Sequence, residues 1–196
     1  MVLPATPRRF TPQEYLLLER AADTKSEFID GQIFAMTGAS RAHNLIAVNL
    51  VACIRAALRG QPCEVYQSDM RVHVGGDEDL YSYPDVVVAC EPIRFADDHT
   101  DTLQNPVVIV EVLSPSTEAF DRGEKFLRYQ RLPSLAHFVL VAQDRRKVEH
   151  FARDGRRWSF EVLERDDDAL NLTAIGVAVP LREVYERIHS GPRGDA

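Results

Sequence analysis

The chain has 196 residues, enough for one sizeable hydrophobic core and too few for two ordinary domains. Its composition, 45% hydrophobic and 27% charged, is that of an ordinary folded protein and excludes a largely disordered chain. The formal net charge of −7 excludes a surface coated with positive charge for non-specific nucleic-acid binding, although a local basic groove is compatible with it. We therefore predict a single domain over residues 1–190 and a disordered tail at 191–196.

The cysteines and the hydropathy indicate a cytoplasmic protein. Cys53, Cys63 and Cys90 are odd in number, lack Cys-x-x-Cys spacing and lie in or beside apolar segments, which is typical of unpaired cysteines. The N-terminus has no apolar run of signal-peptide length, and no run reaches the roughly 18 residues that a membrane span needs. We expect a reducing compartment, the cytoplasm, and no membrane partner.

The first third of the chain predicts a helix, a hairpin and a second helix. Thr11, followed by a proline and an acid, begins a helix that ends near residue 22. The Asp-Gly pair at 30–31 lies between two β-prone runs, which predicts a hairpin that opens the sheet. Apolar residues then recur at helical spacing from residue 40 to the glycine at 60, the longest helix predicted here.

The middle of the chain predicts the central strands. Two short runs, at 63–67 and 70–74, precede a Gly-Gly turn and a solvated acidic loop at 77–79. The segments 84–89 and 106–112 are nearly continuous β-branched runs, a pattern typical of strands that are covered on both faces. These two strands are therefore expected at the centre of the protein.

The last third predicts a crossover and a meander. A helix is expected from Ser-Pro-Ser-Thr at 114–117 to about residue 132, followed by a strand at 136–141. Strand, helix and strand of this length imply a right-handed crossover between two parallel strands. Runs at 147–151 and 158–163 predict an antiparallel meander, which a short helix at 181–188 closes.

Two acids on the central strands are the first candidates for a functional site. Asp85 begins one strand and Glu111 lies in the last part of the other, so antiparallel neighbours would place both carboxylates side by side. Directly opposed residues have Cβ atoms about 4.5 to 5.5 Å apart, close enough for two acids to share one cation. Carboxylate oxygens suit Mg²⁺ or Mn²⁺, and no cysteine or histidine lies nearby at zinc-ligand spacing.

Ordinary structural roles are the alternative for both acids. Asp85 follows Pro84, a common turn signal, and Glu111 would be an exposed strand end, each acid paired with an arginine. Glu111 argues more strongly for a function, because an acid within an apolar run carries a large desolvation cost unless it has a partner.

Several short motifs together resemble a known family, the Uma-two type restriction endonucleases of the PD-(D/E)XK superfamily. The residues that carry the resemblance are Glu-Phe-Ile-Asp-Gly at 27–31, Pro-Asp at 84–85, Val-Glu-Val-Leu-Ser-Pro-Ser-Thr at 110–117, Asp121, Lys125 and Tyr129. The resemblance covers about residues 10 to 188, and its most specific part is Glu-Val-Leu-Ser-Pro-Ser-Thr.

The resemblance implies an α/β fold with a mixed central β-sheet flanked by helices, a restriction-endonuclease-like core. It implies that Asp85, Glu111 and Glu27 bind Mg²⁺, with Mn²⁺ able to substitute, and that these acids and Lys125 are catalytic in phosphodiester hydrolysis. Glu27 would bind a second metal ion or a water in its outer shell. The alternative for Glu27 is a hairpin residue that faces water.

The lysine departs from the superfamily pattern. The superfamily has its lysine two residues after the second acid, where this chain has Leu113, so the resemblance makes Lys125 on the following helix the substitute. Asp121 and Lys125 lie one turn apart on one helix face, and an ordinary surface ion pair is the alternative. The chain has only three lysines among 23 basic residues, which favours a function for Lys125. Tyr129 is expected to pack against the sheet.

Other residues are candidates for substrate binding. His43 lies on an apolar helical stripe, so a core histidine is the alternative to a position at the site. Ser116 or Thr117 is expected to cap the following helix, whose N-terminal amides would bind a phosphate. Arg122 and Arg128 are candidates for contacts with the phosphate backbone.

The predicted function is that of a Mg²⁺-dependent endonuclease whose partner is nucleic acid, with DNA as the expected substrate. Cutting both strands needs two sites, so a homodimer is expected. The alternative is a catalytically inactive nuclease-fold module that binds nucleic acid or protein, which the missing lysine at position 113 and the net charge of −7 favour. The presence of both Asp85 and Glu111 favours the nuclease.

Overall fold

The structure is a computed structural model that describes residues 8–76 and 79–188. The helices are α1 (Pro12–Ala21), α2 (Arg41–Ala57), α3 (Glu118–Phe120), α4 (Phe126–Tyr129) and α5 (Leu181–Val184), with a π-helical turn at Asp121–Lys125 and a 3-10 turn at Thr173–Ile175. The strands are β1 (Ser26–Ile29), β2 (Gln32–Ala35), β3 (Cys63–Gln67), β4 (Arg71–Val74), β5 (Leu80–Ser82), β6 (Val86–Cys90), β7 (Thr102–Leu103), β8 (Val108–Leu113), β9 (His137–Ala142), β10 (Val148–Asp154), β11 (Arg157–Leu163), β12 (Ala169–Leu172) and β13 (Val177–Pro180).

A six-stranded mixed sheet is the centre of the protein, as predicted. Its strand order is β11-β10-β9-β8-β6-β3; β8 and β9 are parallel and the other pairs are antiparallel. The helical segment from α3 to α4 connects β8 to β9, which confirms the predicted crossover. Every residue of β8 and β9 is buried, because one core cluster packs on each face of the sheet. This double burial explains the nearly continuous β-branched runs.

The hairpin belongs to a second sheet, so the prediction that it opens the central sheet was wrong. This sheet has the order β2-β1-β5-β4-β7, and β1 pairs with β5 through Phe28 and Tyr81. Strands β5 and β7 have three and two residues, too few to show a periodic pattern in the sequence. The sequence therefore gives no sign that the hairpin pairs with β5.

Local signals placed the first elements correctly. Thr11 caps α1 in a capping box, in which the Glu14 carboxylate accepts a hydrogen bond of 2.8 Å from the Thr11 amide. Asp30 and Gly31 have φ of 48° and 86°, the positive values that a tight hairpin turn of this type requires. Ser40 caps α2 by accepting a hydrogen bond of 3.1 Å from the His43 amide. The helix, hairpin and second helix are therefore confirmed.

Two of the three cysteines are paired, which corrects the expectation of unpaired cysteines. Cys63 and Cys90 form a disulfide, whereas Cys53 is free. The two half-cystines lie directly opposite each other on the antiparallel strands β3 and β6. They are 27 residues apart in the sequence, so only the strand pairing brings them together. The predicted reducing compartment therefore loses part of its support.

The C-terminal part adds a short hairpin to the predicted meander. Strands β10 and β11 form the meander, and β12 and β13 form a separate two-stranded sheet that was not predicted. Helix α5 ends at Val184, earlier than expected. Two predicted features, the tail at 191–196 and most of the acidic loop at 77–79, lie outside the described residues. In the described part of the chain, no helix is both long enough and apolar enough to cross a membrane.

Candidate active site

Five predicted residues from four segments converge beside the last part of β8. Glu111 lies on β8, and Asp85 precedes β6, the antiparallel neighbour of β8. Val86 pairs with Val110, so Asp85 and Glu111 are the next opposed positions, as predicted. Glu27 comes from β1 of the second sheet, and Asp121 and Lys125 come from the π turn. The side chains of Glu111, Asp121 and Lys125 are buried.

Lys125 is at the centre of the carboxylates. Its Nζ lies 3.0 Å from Glu27 Oε1, 3.1 Å from Glu111 Oε1 and 3.4 Å from Asp121 Oδ1. Lys125 is only 5% exposed and Asp121 3%, so the alternative of a surface ion pair is wrong. The alternative of a water-facing Glu27 is also wrong, because its Oε1 additionally accepts a hydrogen bond of 3.2 Å from the Tyr83 amide.

A π turn places the residues of the crossover helix, and the sequence did not predict it. The turn at Asp121–Lys125 interrupts the helix between α3 and α4, and such turns are frequent at functional sites. Beyond it, Tyr129 is fully buried against the sheet, as predicted, and its hydroxyl donates a hydrogen bond of 3.0 Å to Glu111 Oε1. Ser82 Oγ lies 2.8 Å from the same hydroxyl. Glu111 is thus held by a cation and a neutral donor at once.

Asp85 is held by a strand amide and a histidine. The Val112 amide donates a hydrogen bond of 2.7 Å to Asp85 Oδ2, and His43 Nε2 lies 3.2 Å from the same oxygen. His43 belongs to the first turn of α2, so the N-terminus of this helix faces the site. The structure therefore favours the placement of His43 at the site over a purely apolar environment. Burial opposes protonation of His43, but the hydrogen bond and the charge of Asp85 raise its pKa above the usual 6.5.

The cluster contains more negative charge than its own cations offset. Burial raises the pKa of Glu111 well above its usual 4.5; Lys125 opposes this shift, and the nearby carboxylates of Asp121, Asp85 and Glu27 add to it. Burial also raises the pKa of Asp121 against the effect of Lys125. The Lys125 pKa is raised well above 10.5, since Glu111 and the other acids outweigh burial. The cluster therefore retains a proton or takes up a cation.

The raised pKa of Glu111 predicts an effect of Glu111→Gln on the pH dependence of stability. The folded state binds this proton more tightly than the unfolded state, so the wild type's free energy of unfolding falls as pH rises from about 4.5 through the raised pKa. Glutamine does not titrate, so the variant loses less stability over this range. Thermal unfolding in EDTA between about pH 5 and 8 should show the variant's Tm rising relative to wild type with increasing pH.

The control for this measurement is Glu64→Gln, which removes an exposed carboxylate from β3 of the same sheet. Its Tm relative to wild type should stay level over the same pH range. If the Glu111→Gln difference were equally level, the account of an excess of buried negative charge would be wrong.

The donor set fits a hard divalent cation that keeps several water ligands. Asp85 and Glu111 offer carboxylate oxygens from neighbouring strands, and a double positive charge would offset the excess negative charge of the cluster. Mg²⁺ is usually bound by one or two carboxylates plus water rather than by an all-protein cage. Within residues 8–76 and 79–188, no three His, Cys, Asp or Glu side chains form a group that could hold a metal ion. Asp85 and Glu111 are the two carboxylates that would hold such an ion.

Ser116 and Thr117, two of the predicted substrate-binding residues, do not place their hydroxyls on the amides of the following helix. Thr117 is the N-cap residue of α3, as predicted, but its side chain makes no capping hydrogen bond, so the expected side-chain cap was wrong. Both hydroxyls instead lie within hydrogen-bond distance of Ser114 Oγ, which is 3.0 Å from Ser116 Oγ and 2.9 Å from Thr117 Oγ1. Hydrogen bonds between these neighbouring hydroxyls thus replace the expected bonds from the helix amides.

The two candidate arginines are held by acids outside the cluster. Arg122 forms ion pairs with Glu118, at 2.8 Å, and with Glu149. Arg128 binds both carboxylate oxygens of Asp30, at 3.0 and 2.6 Å. The sequence did not indicate these pairs, because three of the four contacts join residues that are far apart in the chain.

Two known sequences are similar to most of the chain. The chain is 38% identical over 159 residues to the uncharacterized protein sll1609 of Synechocystis sp. (strain ATCC 27184 / PCC 6803 / Kazusa), which covers 81% of this chain and 89% of that protein. It is 35% identical over 178 residues to the uncharacterized protein slr1290 of the same organism, 90% of this chain and 92% of that protein.

A solved structure and a family model extend the comparison. The crystal structure of a "putative nuclease belonging to DUF820" from Anabaena variabilis ATCC 29413 matches with a TM-score of 0.72 at 18% identity, and the match covers 90% of this chain and 97% of that one. At this identity the match shows a shared fold. The model of the Uma2 family, described as "Putative restriction endonuclease", matches residues 12–182. As the motifs predicted, the chain belongs to the Uma2 family.

Proposed function

We propose that the protein is a metal-dependent endonuclease that hydrolyses phosphodiester bonds in DNA. The observation that carries the proposal is the buried contact between Lys125 of the crossover helix and Glu111, which lies opposite Asp85 on the neighbouring strand. The nuclease descriptions of the family and of the structural neighbour support it. We further propose that two copies act together on a duplex in the cytoplasm.

Asp85 and Glu111 would hold Mg²⁺, with Mn²⁺ as a substitute, and Glu27 would bind a second ion or an outer-shell water. The cation, when bound, lowers the pKa of a coordinated water and offsets charge on the phosphate oxygens. Val112 and His43 both engage Oδ2 of Asp85, and Lys125 and Tyr129 both engage Oε1 of Glu111. These contacts fix the two carboxylates so that the second oxygen of each would face the cation.

Lys125 would act on the reacting phosphate. Its ammonium is buried, so its charge is little screened by water, and it is held in place by carboxylates on three sides. From this position it would orient the attacking water or stabilise the negative charge that grows on the phosphate oxygens. The three carboxylates keep its pKa raised, so it stays protonated at neutral pH.

Incubation with supercoiled plasmid tests the proposed function. The wild type should nick the plasmid in Mg²⁺ or Mn²⁺ and not in EDTA, and Asp85→Asn should lose this activity because it removes a cation ligand without changing the shape of the side chain. Glu64→Gln, purified identically, should nick like the wild type. Equal nicking by all three proteins would reveal a contaminating nuclease, and no nicking by any would reject the plasmid as substrate.

A second candidate is a nuclease-fold module that binds nucleic acid without cutting it. The position of the Lys125 ammonium among three carboxylates favours it, because this lysine offsets part of the acids' charge without a metal ion. Binding to labelled duplex DNA separates the candidates. A module that only contacts the backbone would bind with a steep salt dependence and no need for a divalent cation, and it would leave supercoiled plasmid uncut in Mg²⁺ or Mn²⁺.

A further inference from the structure

Lys25 lies beside the peptide segments that carry two site residues. It immediately precedes β1, and its carbonyl continues the ladder by accepting a hydrogen bond of 3.0 Å from Met36. Alternate residues of an extended chain face the same side, so Lys25 shares a face with Glu27, which contacts Lys125.

The ammonium group of Lys25 reaches toward the Asp85 side of the site. Its Nζ donates hydrogen bonds of 2.8 Å to the Ser68 carbonyl and 2.8 Å to Asp69 Oδ1. The Ser68 amide in turn donates to the Asp85 carbonyl at 3.2 Å. The same Nζ lies 5.4 Å from the centre of the Tyr83 ring. Ser68 therefore links the Lys25 ammonium to the backbone of Asp85 through two hydrogen bonds.

The ion pair of Lys25 with Asp69 can be exchanged for another anion at little cost. The side chains are 38% and 86% exposed, and ion pairs between exposed side chains contribute little to stability. An ammonium has three N–H donors, and the contacts with Ser68 and Asp69 use two of them. A phosphate could thus take the place of Asp69 while the bond to Ser68 is kept.

A polyanion that approaches the cluster needs such a cation. The chain carries a net charge of −7, and the acids of the site repel phosphates. Arg122 and Arg128 are held by acidic side chains and are 28% and 9% exposed at the side chain. Lys25 combines a side chain that is 38% exposed, an acidic partner that is itself 86% exposed, and a position next to the site.

We propose that Lys25 binds a phosphate of the nucleic-acid backbone next to the scissile bond, with the phosphate replacing Asp69 as its anionic partner. This inference rests on the proposed function, since it assumes that DNA is the substrate. Lys25 would contribute to binding and orientation of the duplex rather than to the chemical step.

Salt-dependent binding of a fluorescein-labelled DNA duplex, measured by anisotropy in EDTA, tests this proposal. Each phosphate contact contributes about 0.9 to the slope of log affinity against log salt concentration, so Lys25→Gln should lower the slope by about 0.9 and weaken binding by about 5- to 10-fold near 0.1 M salt. Lys25→Arg, which keeps the charge, should retain the wild-type slope. Arg59→Gln is the control for lost charge, because Arg59 is exposed and follows the C-terminal end of α2, whereas His43 lies in the first turn of that helix.

A double-variant cycle with Asp69→Asn tests the exchange of partners. Asp69→Asn removes the acidic partner of Lys25, so this single variant should bind DNA more tightly than the wild type. The same substitution made in Lys25→Gln should tighten binding by a smaller factor. Equal tightening in both backgrounds would indicate general electrostatics and would overturn the exchange. A wild-type slope in Lys25→Gln would overturn the role of Lys25 and leave the nuclease proposal intact, whereas a wild type that neither binds the duplex nor nicks plasmid would overturn both.

Discussion

Glu111→Gln should abolish metal-dependent cleavage, with kcat lowered on the order of 10³-fold, while the chain stays folded. The substitution keeps the shape of a buried side chain, and the amide oxygen can still accept a hydrogen bond from Tyr129. It removes the charge that the cation would need and the carboxylate that pairs with Lys125. Initial rates of plasmid nicking at saturating Mg²⁺ measure the effect, with circular dichroism as the check on folding.

Glu64→Gln serves again as the matched control, because it removes a glutamate charge from the central sheet without touching the cluster. We expect its kcat to lie within about twofold of the wild type. A Glu111→Gln variant that cuts DNA at more than about a tenth of the wild-type rate would place the active centre elsewhere.

Lys125→Met should lower the free energy of unfolding by about 3 to 5 kcal/mol in the metal-free protein. Methionine fills the space of the lysine stem but leaves the carboxylates of Glu27, Glu111 and Asp121 without their common cation. Burial and mutual repulsion of these acids then act without compensation, and the loss should grow with pH as they ionise. Urea unfolding at two pH values in EDTA measures both effects.

A double variant identifies the cause of this loss. If uncompensated charge is responsible, Lys125→Met/Glu111→Gln should be more stable than Lys125→Met alone, because one buried acid is gone. The control Lys147→Met removes a lysine whose ion pair with Glu149 is more exposed, and we expect a loss of about 1 kcal/mol or less. A double variant less stable than Lys125→Met would show that packing, not charge, dominates.

The sequence predicted the site best where acidic residues interrupt the β-branched runs of the central strands. An acid at the start of one β-branched run and another near the end of the next was sufficient to place Asp85 and Glu111 as opposed neighbours. The strand-helix-strand order placed Lys125 on the crossover helix beside them. Only the resemblance to the family selected Glu27, since its strand joins the cluster through a separate sheet.

The features that were missed depend on contacts between distant segments. Helical periodicity showed that Asp121 and Lys125 share a face, but it did not reveal the π turn that carries them. The two-residue strand β7 and the disulfide between β3 and β6 likewise arise from pairing across the fold. The wrong capping prediction has a local cause, because the hydroxyls of Ser116 and Thr117 bond to their neighbours instead of the helix amides.

The candidate site is therefore a cluster with excess negative charge where the two sheets meet. The central sheet supplies Asp85 and Glu111, the second sheet supplies Glu27, and the crossover helix supplies the cation. Such an arrangement is stable without metal only as long as Lys125 and retained protons offset the acids. A bound divalent cation would offset the same excess negative charge. It would therefore stabilise the fold as well as take part in the proposed reaction.

Binding of Mn²⁺ to the purified chain tests most directly whether Asp85 and Glu111 hold a divalent cation. A titration followed by the electron paramagnetic resonance signal of free Mn²⁺ should show saturable binding in the wild type and in Glu64→Gln. Asp85→Asn and Glu111→Gln should each weaken it by about tenfold or more. Wild-type affinity in both variants, or no saturable binding in the wild type, would contradict the proposed metal site.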